Sequence, residues 1–228
     1  MKDVHGIAIY DYLCQRFDGK LTLHNNFGTP DEMPVEAFFR DEDELDELEV
    51  IALEQCRGRI LDVGAGAGAL SIILQHRGQQ VTAIEHSTGC IHTMRKRGIA
   101  NVIEADLNQH EERYDTLLMM MNGLGLAARL ALLPSFLTHC KKLLSPGGQI
   151  IVDSSDISYL SRDQTQTDSY FGEVSYQYEY RGEKSDWFDW LYVDPQTMKK
   201  MAEQLGVDLK ILAENKHDQY LMKIQFPS

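Results

Sequence analysis

The sequence is short of positive charge, of paired cysteines and of long apolar runs. Its 22 lysines and arginines face 35 aspartates and glutamates, a formal net charge of −13. A surface of that sign repels a phosphate backbone unless it hides a basic patch. The densest basic stretch, Arg95-Lys96-Arg97, is short and suits the C-terminal end of a helix, where cations complement the dipole. No nucleic-acid partner is therefore expected. No apolar run approaches the ~20 residues that span a bilayer, and Met1 to His5 lacks the apolar stretch of a secretion signal. The expectation is a cytoplasmic protein without a membrane segment. The four cysteines, Cys14, Cys56, Cys90 and Cys140, form no CxxC pair, so reduced thiols and no metal site are expected. Internal repeats and low-complexity linkers are missing too.

What is present is an ordinary globular composition. The chain has 228 residues, 43% of them hydrophobic and 25% charged, enough to bury one core. Residues 1–50 are expected to form a helical lid segment and 51–228 the main domain, with an inserted hairpin region at about 157–193. In the acidic run Asp41 to Glu49, apolar Leu45, Leu48, Ile51 and Ala52 recur at helical spacing, which predicts a helix with a solvated acidic face.

From Arg59 onward, apolar strands alternate with amphipathic helices, the pattern of a parallel sheet covered on both faces. Strands are predicted at 59–64, 80–85, 101–105, 115–121 and 149–154, and helices at 67–77, 88–97 and 129–144. Ser145-Pro146-Gly147-Gly148 reads as a breaker cluster before the fifth strand. Beyond it, Val174, Tyr176, Tyr178 and Tyr180 alternate with polar residues, and Trp187 to Val193 runs back as an aromatic strand. This predicts an antiparallel hairpin. Asp194-Pro195 should start a helix ending at Gly206, with a closing antiparallel pair at 207–214 and 220–226.

The chemistry concentrates where the first strand ends. Ile60-Leu61-Asp62-Val63 delivers the chain into Gly64-Ala65-Gly66-Ala67-Gly68, and a helix begins at once. Glycines there permit a tight turn and let the backbone approach a ligand closely. The free amides of the helix start point into a cleft at the carboxyl ends of the strands. Glu85 closes the second strand, and a carboxylate there can accept both hydroxyls of a ribose. A dinucleotide site would need Gly-x-Gly-x-x-Gly; this spacing is Gly-x-Gly-x-Gly, followed by Ala69.

Asp62-x-Gly64-x-Gly66-x-Gly68 followed by Glu85 resembles the class I S-adenosylmethionine-dependent methyltransferases. Further matches follow in order: Ala105-Asp106-Leu107, Tyr114-Asp115-Thr116-Leu117-Leu118, and Leu143-Leu144-Ser145-Pro146-Gly147-Gly148. The ordered series covers about residues 58 to 155. The resemblance implies an α/β fold, a Rossmann-like seven-stranded mixed sheet whose last strand is antiparallel, with the closing pair here as strands six and seven. It implies S-adenosylmethionine as cofactor. Gly64, Ala65, Gly66 and Gly68 would make room for its methionyl part, and Asp62 would hold the loop or the methionyl amine. Glu85 would bind the ribose, with His86 against the adenine. Asp106 would accept from the adenine amino group, with Leu107 beside it. Asn122 and Gly123 would sit near the sulfonium and the incoming acceptor.

Beyond the resemblance, the residues suggest roles on the acceptor side. Methyl transfer from a sulfonium needs chiefly an aligned nucleophile, sometimes with proton removal. Asn122 is a candidate for orienting the acceptor, and Asp156, beyond the fifth strand, for general base or acceptor orientation. The Asn or Asp followed by Pro-Pro-Tyr of amino-directed enzymes is absent from Met119 to Gly125. Tyr170, Tyr176, Tyr178, Trp187 and Trp190 in the hairpin region would suit a flat acceptor, or equally pack an extra sheet layer. Arg40 is a candidate partner for the cofactor's carboxylate. The expectation is an enzyme methylating a small-molecule acceptor, as monomer or homodimer. The alternatives are a protein or tRNA methyltransferase, or a non-catalytic S-adenosylmethionine-binding protein.

Overall fold

The first helix, α1 (Val4–Leu13), opens at Asp3, whose side chain accepts from the Gly6 amide. The computed structural model describes residues 2–159 and 169–227, so part of the expected 157–193 insert lies outside the described residues. Two short strands follow, β1 (Thr22–Asn25) and β2 (Asp31–Glu32), and then α2 (Glu47–Gln55). Next, strands and helices alternate: β3 (Arg59–Val63), α3 (Ala69–His76), β4 (Gln80–Glu85), α4 (Thr88–Lys96) and β5 (Val102–Glu104). They continue with β6 (Tyr114–Met119), α5 (Leu133–Lys142) and β7 (Leu144–Ser155). The last third holds β8 (Glu173–Tyr180), β9 (Glu183–Lys184), β10 (Phe188–Leu191), α6 (Pro195–Leu205), β11 (Asp208–Glu214) and β12 (Gln219–Gln225).

Seven strands form one mixed sheet in the order β11-β12-β7-β6-β3-β4-β5. β4 pairs parallel with β5, and β6 with β7, while β12 runs antiparallel to both β7 and β11. The chain's last strand is thus the reversed one, and the expected Rossmann-like topology is present. Leu117, Leu118 and Met119 of β6 are fully buried, as a strand covered on both faces requires. Ser145-Pro146-Gly147-Gly148 lies inside the assigned span of β7 rather than before it. Opposite β6 the register jumps from Tyr114↔Leu144 to Thr116↔Gln149, so the breaker residues bulge out while the strand continues.

A second, smaller sheet runs β10-β8-β1-β2, with β9 paired to β8. The segment expected as a helical lid therefore contains two short strands besides α1. Thr22 to Asn25 pairs antiparallel with Tyr176 to Glu179. Four half-buried residues show no strand alternation of their own, and it is the tyrosine-rich partner that makes them a strand. The acidic run also differs from the single helix expected. Asp41 and Asp46 each begin a capping box, with Glu44 and Glu49 reaching back to the cap amides at 2.8 and 3.1 Å. The first caps a 3-10 turn, Glu42–Glu44, and the second caps α2, so Leu45 falls between them.

The chain divides into two compact units. The first comprises residues 1–45, 61–110 and 175–188, the second 46–60, 111–174 and 189–228. Within the first unit, Val4, Ala8, Ile9, Leu21, Val35 and Tyr180 form one buried cluster with Ala67 and Cys90. Among the described residues no helix is long and apolar enough to cross a membrane.

Candidate functional site

In the first unit, the loop after β3 is held by its backbone. The Gly64 amide donates to Ile84 O at 3.0 Å and the Gly68 amide to Ala65 O at 2.8 Å. Gly64, Gly66 and Gly68 take φ of 69°, 57° and 77°, an every-second-residue left-handed path that only glycine follows without strain. Two of these glycines do different work. A Cβ on Gly68 would lie 2.2 Å from Ile99 Cδ1 and 2.9 Å from Met94 Cγ, so this position seats α3 against its neighbours. A Cβ on Gly66 would meet only Phe38 Cδ1, at 3.5 Å, so the backbone there borders open space.

Asp62 is buried and accepts from Ser71 Oγ at 2.7 Å. It therefore ties β3 to the first turn of α3. Burial pushes its carboxyl up to about 6 against the Ser71 hydroxyl, with the Glu85 charge adding to the rise. Glu85, at the end of β4, shows the opposite balance. Its Oε1 accepts from the amides of His86 at 2.8 Å and Ser87 at 3.1 Å, and its Oε2 from the Gly66 amide at 3.2 Å. Burial raises it, but the His86 side chain 3.2 Å away and the Ser87 and His86 amides outweigh burial and hold it at about 2. A buried carboxylate thus stays ionised directly against the glycine loop. The His86 ring is largely exposed, and its own value is raised by Glu85.

The other expected residues take plainer positions. Asp106 is exposed and accepts from the Asn108 backbone at 2.8 Å and its side-chain amide at 2.9 Å, capping the 3-10 turn that Leu107 begins. Arg40 is half-buried and donates from Nε to Ala37 O at 2.9 Å.

The residues by which α1 covers the loop are not singled out in the sequence. Asp3 accepts from Ser87 Oγ at 2.7 Å and from the Gly89 amide at 2.8 Å, bolting the start of α1 to the start of α4. The approach is tight: a Cβ on Gly89 would lie 2.2 Å from the Gly6 carbonyl oxygen. Between these elements His5 stacks on Tyr178, centroids 4.8 Å apart, and meets Phe38 edge-on at 5.0 Å. Its Nδ1 lies 3.8 Å from Cys90 Sγ. Burial pulls the imidazole below its ordinary value, against the pull of Glu85 and Asp3. The sequence signal for α1 is an Asp followed by an apolar run, a helix cap, within the segment expected as a lid.

The second unit holds Asn122 and Asp156. The chain leaves β6 through Met121 and Asn122, both left-handed with φ of 62° and 60°. Asp153 fixes this turn, accepting from the Asn122 amide at 2.8 Å and the Gly123 amide at 2.9 Å. Burial nevertheless pushes Asp153 up to about 6. The Asn122 side chain donates to Leu191 O at 3.0 Å and accepts from Ser154 Oγ at 3.1 Å. It is Asp153 that meets Asn122; Asp156 instead accepts from the Ser158 amide at 2.9 Å. Of the aromatic set, Trp190 packs onto Gly125, where a Cβ would lie 2.0 Å from its ring. Tyr170 donates to Asp194 at 2.7 Å, while Trp187 is half exposed. In the first unit Tyr176 and Tyr178 pack on Phe188, with centroids 6.1 and 5.3 Å apart.

A family model described as a methyltransferase domain matches residues 60–148. A crystal structure of a SAM-dependent methyltransferase from Bacteroides fragilis, solved with S-adenosyl-L-homocysteine, is 36% identical with a TM-score of 0.92; the match covers 98% of this chain and 94% of that one. The CcbJ methyltransferase of Streptomyces caelestis shares the fold at 15% identity and TM-score 0.62, covering 82% of this chain and 94% of its own. The glycopeptide N-methyltransferase MtfA does so at 18% and 0.57, covering 79% and 89%. No curated protein sequence matches the chain. The identity with the Bacteroides structure over nearly the whole of both chains, on the topology and glycine loop described above, places this chain in the family of S-adenosylmethionine-dependent methyltransferases.

Proposed function

We propose that this methyltransferase moves the methyl group of S-adenosylmethionine to a small-molecule acceptor. The observation that carries the donor side is the ionised, buried Glu85 set against the open Gly66 backbone. The residues present fit this cofactor. Gly66 leaves space where any side chain would intrude, and a carboxylate is the acceptor that two ribose hydroxyls need. When bound, the cofactor supplies a methyl group on a sulfonium, an electrophile that needs no activation by the protein.

The chain's own residues bind and orient. Gly64, Ala65, Gly66 and Gly68 supply the backbone wall for the methionyl part. Asp62, engaged by Ser71, keeps that wall in register with α3. Glu85 holds the ribose, His86 and Leu107 flank the adenine, and Asp106 accepts from its amino group. Arg40 is proposed for the cofactor's carboxylate, a pairing that suits a guanidinium. Asn122 and Asp156 remain the proposed acceptor-side groups, Asn122 for orientation and Asp156 for proton removal. A net charge of −13 supports a small acceptor over a nucleic acid.

Titration calorimetry with S-adenosylhomocysteine tests the donor side, and methyl release from labelled S-adenosylmethionine across acceptor panels tests the rest. Binding and turnover on a small molecule are expected. No binding overturns the proposal; binding without turnover on any panel favours a non-catalytic role.

A further inference from the structure

We propose that His5 is a cofactor ligand, its Nε2 donating a hydrogen bond to a ribose hydroxyl of the S-adenosylmethionine that Glu85 holds. This rests on the donor-side assignment above and adds a residue from a different part of the chain.

His5 Nε2 is buried and has no hydrogen-bond partner among the described residues. A buried polar atom without a partner costs free energy, and native proteins rarely leave one so. The ring cannot turn it elsewhere cheaply. One face is stacked on Tyr178, Phe38 stands edge-on, and the opposite nitrogen, Nδ1, faces Cys90 Sγ. Phe38, which fixes His5, is also the ring that reaches Gly66. Gly66 in turn donates to Glu85, whose charge His5 feels. Gly66, Glu85, Phe38 and His5 therefore form one continuous chain of neighbours around the glycine loop.

Burial pushes the Cys90 thiol well above its ordinary value, so its sulfur keeps its hydrogen and can donate to Nδ1. In the proposed tautomer the imidazole accepts at Nδ1 and carries its proton at Nε2, which then donates. A ribose hydroxyl bound to a carboxylate spends its own hydrogen there and presents an oxygen lone pair. Glu85 offers only acceptors and His5 only a donor, so together they satisfy both halves of a hydroxyl.

Calorimetry on purified full-length protein tests this, using S-adenosylhomocysteine and its 2′-deoxy and 3′-deoxy analogues. His5→Phe keeps a flat ring and removes the donor. It should weaken S-adenosylhomocysteine by about tenfold, the worth of one neutral hydrogen bond. One deoxy analogue should bind the variant and the wild type equally. His5→Gln, which retains a donor, should recover part of the loss and serves if the Phe variant does not fold. Its affinity for that same deoxy analogue should likewise match the wild type. Unchanged S-adenosylhomocysteine binding by a folded variant, or an equal loss for all three ligands, overturns the proposal. Failure of the wild type to bind S-adenosylhomocysteine would instead sink the donor-side assignment, and this inference with it.

Discussion

Replacing Glu85 by Gln isolates the charge that the glycine loop is built around. Gln has the shape of the protonated carboxyl, so the variant measures how much the fold prefers the ionised form. Lowering that group from its ordinary 4.5 to about 2 corresponds to about 3 kcal/mol. The largest opposing influence is burial, already included; the largest favourable one is His86, whose ring is exposed. Discounting that share for solvent leaves about 2 kcal/mol, carried by the amides of Ser87 and His86. The sign follows from linkage. A carboxylate lowered in the folded state stabilises fully above its unfolded value, and that contribution is lost as pH falls from 4.5 toward 2. Urea denaturation of the cofactor-free protein at pH 7, 5 and 3.5 should show Glu85→Gln less stable by about 2 kcal/mol at the two higher values. The gap should narrow at pH 3.5. The same variant should bind S-adenosylhomocysteine roughly 10- to 100-fold more weakly, since hydrogen bonds to a charged acceptor are worth about 1.5–3 kcal/mol. A gap that does not change with pH, or unchanged ligand affinity, would refute the argument.

The two loop glycines should separate folding from binding. Gly66→Ala costs roughly 1–2 kcal/mol for its positive φ and folds, yet loses S-adenosylhomocysteine affinity by calorimetry. Gly68→Ala adds a clash with Ile99 and should lower the melting temperature well beyond that of Gly66→Ala. Asp62 is raised in the fold, so its ionisation destabilises as pH climbs from 3.8 through about 6. Asp62→Asn should therefore gain on the wild type by up to about 3 kcal/mol across that window in urea titrations, with no further gain above it. Gly89→Ala should push α1 off α4, seen as faster amide exchange at Gly6 and Gly89 while β6 and β7 stay protected.

The parts legible in the sequence are those that local chemistry decides. β4 and α6 fall at the residues expected, because Val81, Ala83 and Ile84 stand between polar Gln80 and Glu85, and α6 is bracketed by Asp194-Pro195 and Gly206. Glu85 was legible because it terminates a strand behind a glycine loop. The misses are tertiary. β1 is a strand because of Tyr176 to Glu179, about 150 residues away, and nothing in Thr22-Leu23-His24-Asn25 announces that. The acidic run carried two capping boxes, at Asp41 and Asp46, but the helical spacing of its leucines masked the break between them. His5, Phe38 and Tyr178 come from three distant stretches, and only folding brings their rings together, with Phe38 reaching Gly66.

The same contrast explains why the donor is readable and the acceptor is not. The donor side rests on backbone geometry, which leaves glycines and a carboxylate at set spacings. In the second unit, the turn after β6 is held against its own preferences. Met121, Asn122 and Ala128 all take positive φ without being glycine, a conformation that asparagine tolerates but that costs Met121 and Ala128 about 1–2 kcal/mol each. The two amide bonds to Asp153 offset much of that at Met121, and the Asn122 side chain is occupied by Leu191 and Ser154. Strain of this kind is kept where a segment's shape matters more than its stability. Asp153 therefore governs that shape through the two amides it holds. Side chains spent on holding a turn carry no signature of an acceptor in their residue types.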